Sequence, residues 1–582
     1  MSRPEWPREA VRAPKAMVVS DEELASQAGV EILKKGGNAV DAAVAVAFAL
    51  AVVQPAAGNI GGGGFMLVRM ADGRMGFVDY RETAPKKASR DMYIRADGTL
   101  DSEAATIGYR AAAIPGTVAG MALALKTYGT MKLRDVMAPA IRLAEQGFPV
   151  SEKLAGSLRA ARSLLQRFST SRRIFLKDGA MYQPGETLRQ PELAATLRRI
   201  AAGGAAEFYG GETARKLAEE MAQMGGVVTL EDLAGYTAKI REPLRGNYKA
   251  NGAEWEVITA PPPSSGGTAM LAALHMLAPV ELKGWSDAQS VHWVAETMRR
   301  VFADRAAYLA DADFARVPVR GLIDPRYAEQ RRATIDPQRA SSSERVRAGD
   351  PMPFDAAAKP GRTAGADPSS RQEASGLGMT TFTPVVRREG ENTTHFSVVD
   401  AAGNAAANTY TINESFGSGA TTTTGFLLND TMDDFTTQPG VPNKLFGLIQ
   451  SDANAIAPGK RSLSSMTPTI VLRDGKLSFV TGSPGGPRII SATLLSVLNW
   501  MRLSMDAQAA INAPRFHHQW MPDQIYVEDI FSTDARKDLE RRGHKVTVRT
   551  WIGQVEAIGI DPKTGERLGA ADARRQGAAA GY

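Results

Sequence analysis

Between Ala42 and Val53 the sequence reads AAVAVAFALAVV, 12 apolar residues without a break. A helix that spans a bilayer needs ~20 such residues, and strands rarely exceed ~10, so this run reads as a buried helix. Gly36 and Gly37 end the helix before it, Asn38 stands ready to cap it, and the apolar helix is expected over Ala39–Val53. Because it is apolar nearly all round, it cannot lie on a surface. Layers of structure must cover it on two sides, which commits the chain to a multilayered fold.

At ~150 residues per domain, the 582 residues admit about four domains or a single large α/β unit. With no cysteine, disulfides, thiolate nucleophiles, zinc ribbons and iron–sulfur clusters are excluded, and six histidines remain for metal or acid–base work. None falls in an HExxH spacing. His517 and His518, as neighbours on a strand, would face opposite sides, so structural roles are expected for them and no metal site. A net charge of +6 carried by scattered arginines is too thin for a nucleic-acid binder. The opening MSRPEWPREAVRAPKAMVV has positive charge but no apolar stretch of ~7–15 residues, so no signal peptide is visible. Either the chain is cytoplasmic or a leader has been removed.

Ser20-Asp21-Glu22-Glu23 has the capping-box pattern, so a helix is expected from there to Lys35. Phe65–Met70 and Met75–Tyr80 flank one Asp-Gly, at Asp72-Gly73; Thr469–Leu472 and Leu477–Thr481 flank another, at Asp474-Gly475. Asp-Gly favours hairpin turns, and antiparallel strands are predicted in both halves. Residues 132–224 place Leu, Ala and Arg at helical spacings and read as mostly helical. No internal repeat is visible. Ser341–Glu391 stands apart: rich in Ser, Pro, Gly, Ala and charge, and including KPGRTAGADPSSRQEASG, it reads as a flexible linker with too little apolar surface to pack.

After that segment the pattern is strand, turn, strand: Thr393–Val399, a turn at Asp400–Asn404, then Ala405–Ile412. With Ala402 at the centre of the turn, Thr393 falls opposite Thr411, and opposed Cβ atoms lie ~4.5–5.5 Å apart, close enough for two hydroxyls to meet. The same count about Asp474-Gly475 sets Ser464 opposite Gly485 and Ser465 opposite Pro484. That brings the hydroxyls of SLSSM to TGSPGG, whose glycines can turn amides toward an anion; the alternative is a Ser/Gly loop that binds nothing. A threonine hydroxyl needs a base. Its own α-amine, with an ordinary pKa of about 7.7–8.0, supplies one when the threonine begins a chain. A cut between Asn392 and Thr393 would make it so. The competing reading of Asn392-Thr393-Thr394 is a glycosylation sequon or a β-favouring threonine pair.

Eight strings, in order, resemble the γ-glutamyltranspeptidase family: GNIGGGGFMLVR (Gly58–Arg69), YRETAPKKA (Tyr80–Ala88), PGTVAG (Pro115–Gly120), PPPSSGG (Pro261–Gly267), NTTHFSVVD (Asn392–Asp400), FLLNDTMDDF (Phe426–Phe435), RSLSSMTPTIV (Arg461–Val471) and TGSPGGPRII (Thr481–Ile490). The likeness runs from about Val18 to Gly569. It implies an α+β chain folded as the four-layer αββα sandwich of the N-terminal-nucleophile (Ntn) hydrolases. It implies too a precursor that cuts itself between Asn392 and Thr393 into a large subunit, 1–392, with the linker at about 341–392, and a small catalytic subunit, 393–582, which stay together.

By that resemblance Thr393 is the nucleophile and Thr411 orients it, Gly485 and Gly486 supply oxyanion amides, Arg81, Ser464 and Ser465 hold the substrate α-carboxylate, and Asn413 and Asp434 hold its α-amine. These residue types match what a γ-glutamyl group demands, with a guanidinium fork for a carboxylate, an anion for an ammonium, and a nucleophile one side-chain length away. Pro439–Asn454 resembles the lid of bacterial members. Thr431 departs from the family's Glu or Gln at the amine, and Phe446 from a lid tyrosine; the long linker reads as a surface insertion. The implied activity is transfer or hydrolysis of γ-glutamyl groups from glutathione and related amides, with water, amino acids or peptides as acceptors and no cofactor, metal, nucleic acid or membrane partner. The resemblance favours a periplasmic or extracellular location. Two alternatives stay open: an amidase of the same family for glutaryl side chains, which Thr431 keeps in view, and an uncut, inactive homologue that only binds γ-glutamyl ligands.

Overall fold

Two antiparallel sheets of seven strands each make the centre of the computed structural model, which describes residues 6–177, 179–355, 393–438, 441–443 and 446–582. The first sheet runs, edge to edge, Ala578–Gly581, Met17–Ser20, Thr394–Val399, Ala405–Thr411, Gly63–Arg69, Met75–Asp79 and Lys239–Arg241. The second runs Val11–Ala13, Arg567–Ala570, Ala557–Ile560, Lys476–Thr481, Thr469–Arg473, Ala253–Thr259 and Leu244–Ala250.

Because side chains alternate along a strand, each central strand feeds two cores. Phe65 and Leu67 enter the layer between the sheets, where they join Ile258, Ile470, Val480 and Ile558. Met66 and Val68 turn the other way, into a core closed by the helices of the N-terminal half. Val257, Val471 and Phe479 leave the opposite face of the second sheet for a core closed by Gly266–Leu277, Ala288–Tyr308 and Arg488–Met501. The result is helix, sheet, sheet, helix: the expected α+β, four-layer αββα sandwich.

The apolar helix occupies Ala39–Val53 and every one of its side chains is buried. It packs between the first sheet and the helices Glu23–Lys34 and Leu133–Gln146, so it has the cover on two sides that its composition demands. Asn38 accepts from the Val40 and Asp41 amides, and Asp41 accepts in return from the Asn38 amide at 2.8 Å. Replacing a residue such as Phe48 by Ala would cost about 3–5 kcal/mol. The stretch 132–224 is helical for most of its length, as expected, and no helix among the described residues is long and apolar enough to cross a membrane.

Two expectations need correction. The first helix starts at Glu23 with Glu22 as its cap, because Ser20 ends a strand and its hydroxyl is engaged by Ser26 and the Glu22 carbonyl. The start of the supposed linker is packed: Ser343 is buried, its amide donates to Asp523 at 2.8 Å, and Trp520 Nε1 donates to the carbonyls of Ser343 and Val346. Polar partners from other elements anchor a segment that lacks apolar surface of its own. Residues 356–391 of that segment, and Asn392 after it, lie outside the described residues.

Candidate active site

Thr393 precedes the strand Thr394–Val399, whose ladder with Ala405–Thr411 pairs Thr394 with Tyr410 and Val399 with Ala405. This register carries Thr393 to Thr411, as counted from the turn, and Thr393 Oγ1 donates to Thr411 Oγ1 at 3.3 Å. Thr411 Oγ1 also accepts the Asn413 amide at 2.9 Å. Asn413 takes a left-handed φ of 72°, which its short polar side chain tolerates, and its Nδ2 donates to the Asp430 carbonyl at 3.1 Å. Its side-chain oxygen is left as an acceptor.

His395 stands two residues on, but it does not serve as a base for Thr393. Its Nδ1 meets Thr409 Oγ1 at 2.8 Å and its Nε2 meets Ser397 Oγ at 3.1 Å, and burial lowers its pKa to about 3. It is a neutral strut.

The second hairpin behaves differently. Near its turn Arg473 pairs with Lys476 as the count requires, but a bulge between Val471 and Leu472 moves the register by one, and pairing ends at Thr469 and Thr481. Ser464 and Ser465 therefore do not pair with Gly485 and Pro484. Ser464 is bridged instead to Ser264, its amide donating to the Pro263 carbonyl and its carbonyl accepting from the Ser265 amide and hydroxyl, both at 2.7 Å. The string PPPSSGG is thus the bracket for SLSSM.

Gly485 and Gly486 lie just ahead of the helix Arg488–Met501, with φ of 131° and 57°. Their carbonyls accept the Arg488 and Ile489 amides and so begin its first turn. A Cβ on Gly486 would come within 2.4 Å of the Phe446 ring. Phe446, in the segment expected to be a lid, is held in turn, its carbonyl accepting from Gln519 Nε2 at 2.9 Å. Residues 439–440 and 444–445 of that segment lie outside the described residues.

One cavity is lined by Arg81, Thr393, Thr411, Asn413, Asp434, Ser464, Ser465 and Gly486, so every expected site residue that is described reaches its wall except Gly485, one residue behind. Arg81 is almost wholly buried; it pairs with Asp434, donates to Glu82 at 3.2 Å and to Ser462 Oγ at 2.9 Å. Burial holds the carboxyls of Glu82 and Asp434 above the usual carboxylate range, against the pull of Arg81.

Thr431 is not on the wall. Its hydroxyl donates to Glu82 Oε1 at 2.8 Å and it is fully buried, contrary to the expectation that it faces the substrate amine. Thr431 and Asp434 begin and end a 3₁₀ turn, where residues three apart stack on one face. That face meets Arg81 and Glu82, Asp434 taking the first and Thr431 the second.

Sequence reasoning missed Arg305. It reaches the cavity from the helix Ala288–Tyr308, donating to Ser265 Oγ at 2.9 Å and Ser465 Oγ at 3.4 Å. No sequence signal marked it: only the packing shows that its helix also buries Glu296, Arg299, Arg300 and Asp304.

The gamma-glutamyltranspeptidase family profile matches residues 25–582. Over 568 residues, 97% of this chain and 91% of the relative, the sequence is 44% identical to the glutathione hydrolase proenzyme of Escherichia coli K12. Among solved structures it is similar to a cephalosporin acylase from Bacillus halodurans, with a TM-score of 0.84 and 27% identity over 100% of this chain and 98% of that one. The Helicobacter pylori gamma-glutamyltranspeptidase matches with a TM-score of 0.56 and 41% identity over 60% of this chain and 97% of that one. The fold is that of the Ntn hydrolases, and the chain belongs to the γ-glutamyltranspeptidase family.

Proposed function

We propose that this protein is a self-processing acyltransferase and hydrolase that takes γ-glutamyl groups from glutathione and related amides. The observation that carries the reading is Thr393 at the head of a strand, its hydroxyl on Thr411, in one buried cavity with Arg81 and Asp434.

In the precursor, Thr393 Oγ attacks the carbonyl of Asn392. The peptide C–N bond breaks, the nitrogen takes the hydroxyl proton, and an ester joins the two parts. Water then hydrolyses the ester, leaving a carboxylate on 1–392 and a free α-amine and hydroxyl on Thr393. That amine is the base of the mature enzyme. It removes the Oγ proton as Oγ attacks the γ-carbonyl. The oxyanion is held by amides at Gly485 and Gly486, where the N terminus of Arg488–Met501 adds its dipole. The leaving amine takes the proton, and water or an acceptor amine cleaves the acyl ester. Arg81, Ser464 and Ser465 take the donor's carboxylate, Asn413 and Asp434 its ammonium.

A glutaryl donor, which lacks the ammonium, is a second reading favoured by one observation: Asp434 is already neutralised by Arg81. Release of nitroaniline from γ-glutamyl and glutaryl p-nitroanilides by wild type and Thr393→Ala tests both. Faster γ-glutamyl turnover, lost in the variant, is expected. Preference for the glutaryl compound favours the acylase reading, and no turnover of either favours an inactive binder.

A further inference from the structure

Arg305 is 2% exposed, in the middle of the protein, yet among the described residues no carboxylate forms an ion pair with it and its Nη1 has no hydrogen-bond partner. Its buried peers are all paired: Arg81 with Glu82 and Asp434, Arg299 and Arg300 with Glu296, Arg461 with Asp79, Arg515 with Asp572, and Arg574 with Glu528. A buried charge without a counter-ion is costly. It persists where a ligand is to supply the counter-ion, and Arg305 lines the cavity that holds Thr393.

Its other nitrogens are well placed to support such a contact. Nε donates to Ser265 Oγ, and the Ser265 hydroxyl donates to the Ser464 carbonyl, so Arg305 is tied to the loop that presents both cavity serines. Nη2 approaches Ser465 Oγ, which leaves the proton of that hydroxyl free to be donated to a ligand. Burial lowers the guanidinium to about 10, with only Asp434 opposing, so it is charged at neutral pH. Arg81, by contrast, already faces two carboxylates.

We propose that Arg305 is a second carboxylate-recognition residue of the acyl-donor site: its Nη1 and the Ser465 hydroxyl join Arg81 and Ser464 on the α-carboxylate of the donor. This rests on the acyl-donor reading above.

The test uses two donors on the purified protein: γ-L-glutamyl p-nitroanilide and its decarboxy analogue, 4-aminobutanoyl p-nitroanilide. Wild-type turnover of the first by a chain cut at Thr393 upholds the underlying reading; failure of wild type refutes that reading and this proposal with it. Arg305→Gln, near in length but uncharged, is expected to lower the ratio of kcat/KM for the first donor over the second at least tenfold, mainly through KM. Arg305→Lys, charged but without the fork, should restore part of the ratio. The two-chain pattern on a denaturing gel reports that each variant has folded and processed. If the glutamine variant is not cut, Arg305→Lys carries the test alone, with at least a threefold fall in the ratio expected. An unchanged ratio in a cut variant, or equal losses on both donors, overturns the proposal and leaves Arg305 a strut of the serine loop.

Discussion

The two hairpins that bound the cavity are built alike and end differently. The first keeps one register from its turn to Thr394 and Tyr410, so the ladder itself delivers Thr393 to Thr411. The second slips at Val471 and stops pairing at Thr469 and Thr481, and its arms part. One arm goes to Ser264 and Ser265, the other to the helix that starts at Arg488. A continuous ladder holds Thr393, the proposed nucleophile, and the parted arms of the other carry Ser464, Ser465 and Gly486 on the cavity wall. Substitutions should therefore separate: those on the parted arms change substrate binding and oxyanion support, those on the ladder change the nucleophile.

The largest effect is expected at Gly486. Alanine there needs a left-handed φ and meets the Phe446 ring, so the amide moves. A fall in kcat of roughly a hundredfold or more is predicted, the cost of one oxyanion donor. Wild-type kcat in Gly486→Ala would remove this arm from the chemistry. Next comes Arg81→Ala, which strips the counter-charge from Glu82 and Asp434. Breaking such a buried pair costs about 3–5 kcal/mol of stability, read by thermal unfolding, and KM for a γ-glutamyl anilide should rise at least ~tenfold.

On the ladder, Thr411→Val leaves the Asn413 amide without its acceptor and Thr393 without its partner. We expect kcat to fall about tenfold with KM little changed, from the ~1–3 kcal/mol cost of an unmet buried group. A rise in KM alone would blur the distinction between the hairpins. Thr431→Glu brings a carboxylate to buried Glu82. It should lower kcat/KM for γ-glutamyl and glutaryl anilides alike, by around 1 kcal/mol or roughly fivefold. A gain on the γ-glutamyl donor alone would return Thr431 to the amine site.

The smallest effect is on pH dependence. Ionised Asp434 is the form that pairs with an ammonium, and burial raises its pKa, with Arg81 opposing. As pH falls, protonation of the Thr393 amine lowers kcat/KM first. Asp434 then adds a second proton, steepening the acid limb at a pH above the ordinary carboxylate range. Asp434→Asn should leave a limb of one proton, and an unchanged steep limb would assign the second proton elsewhere.

How much of this was legible in the sequence followed the range of the interactions. The helix Ala39–Val53 was, since its composition alone demands burial. So was the meeting of Thr393 and Thr411, because a short turn and an unbroken ladder transmit register through local geometry. The bulge at Val471 was not: one extra residue is set by packing between layers, and no turn residue announces it. Ser343 misled because its anchors, Arg299, Asp523 and Trp520, come from elsewhere in the chain. Thr431 misled because position in a motif does not say which way a side chain faces. Arg305 stayed hidden for a similar reason, since an arginine in a helix reads as a solvated face until the helix is seen to be covered.

The central claim is that Thr393 becomes a chain terminus. Denaturing electrophoresis of wild type and Thr393→Ala, with terminal sequencing of the smaller fragment, tests it most directly. The account predicts two associated fragments from wild type, the smaller beginning TTHFSVV, and a single 62.2 kDa chain from the alanine variant. An intact wild-type chain, a different terminus, or cleavage of the variant at the same bond would contradict it.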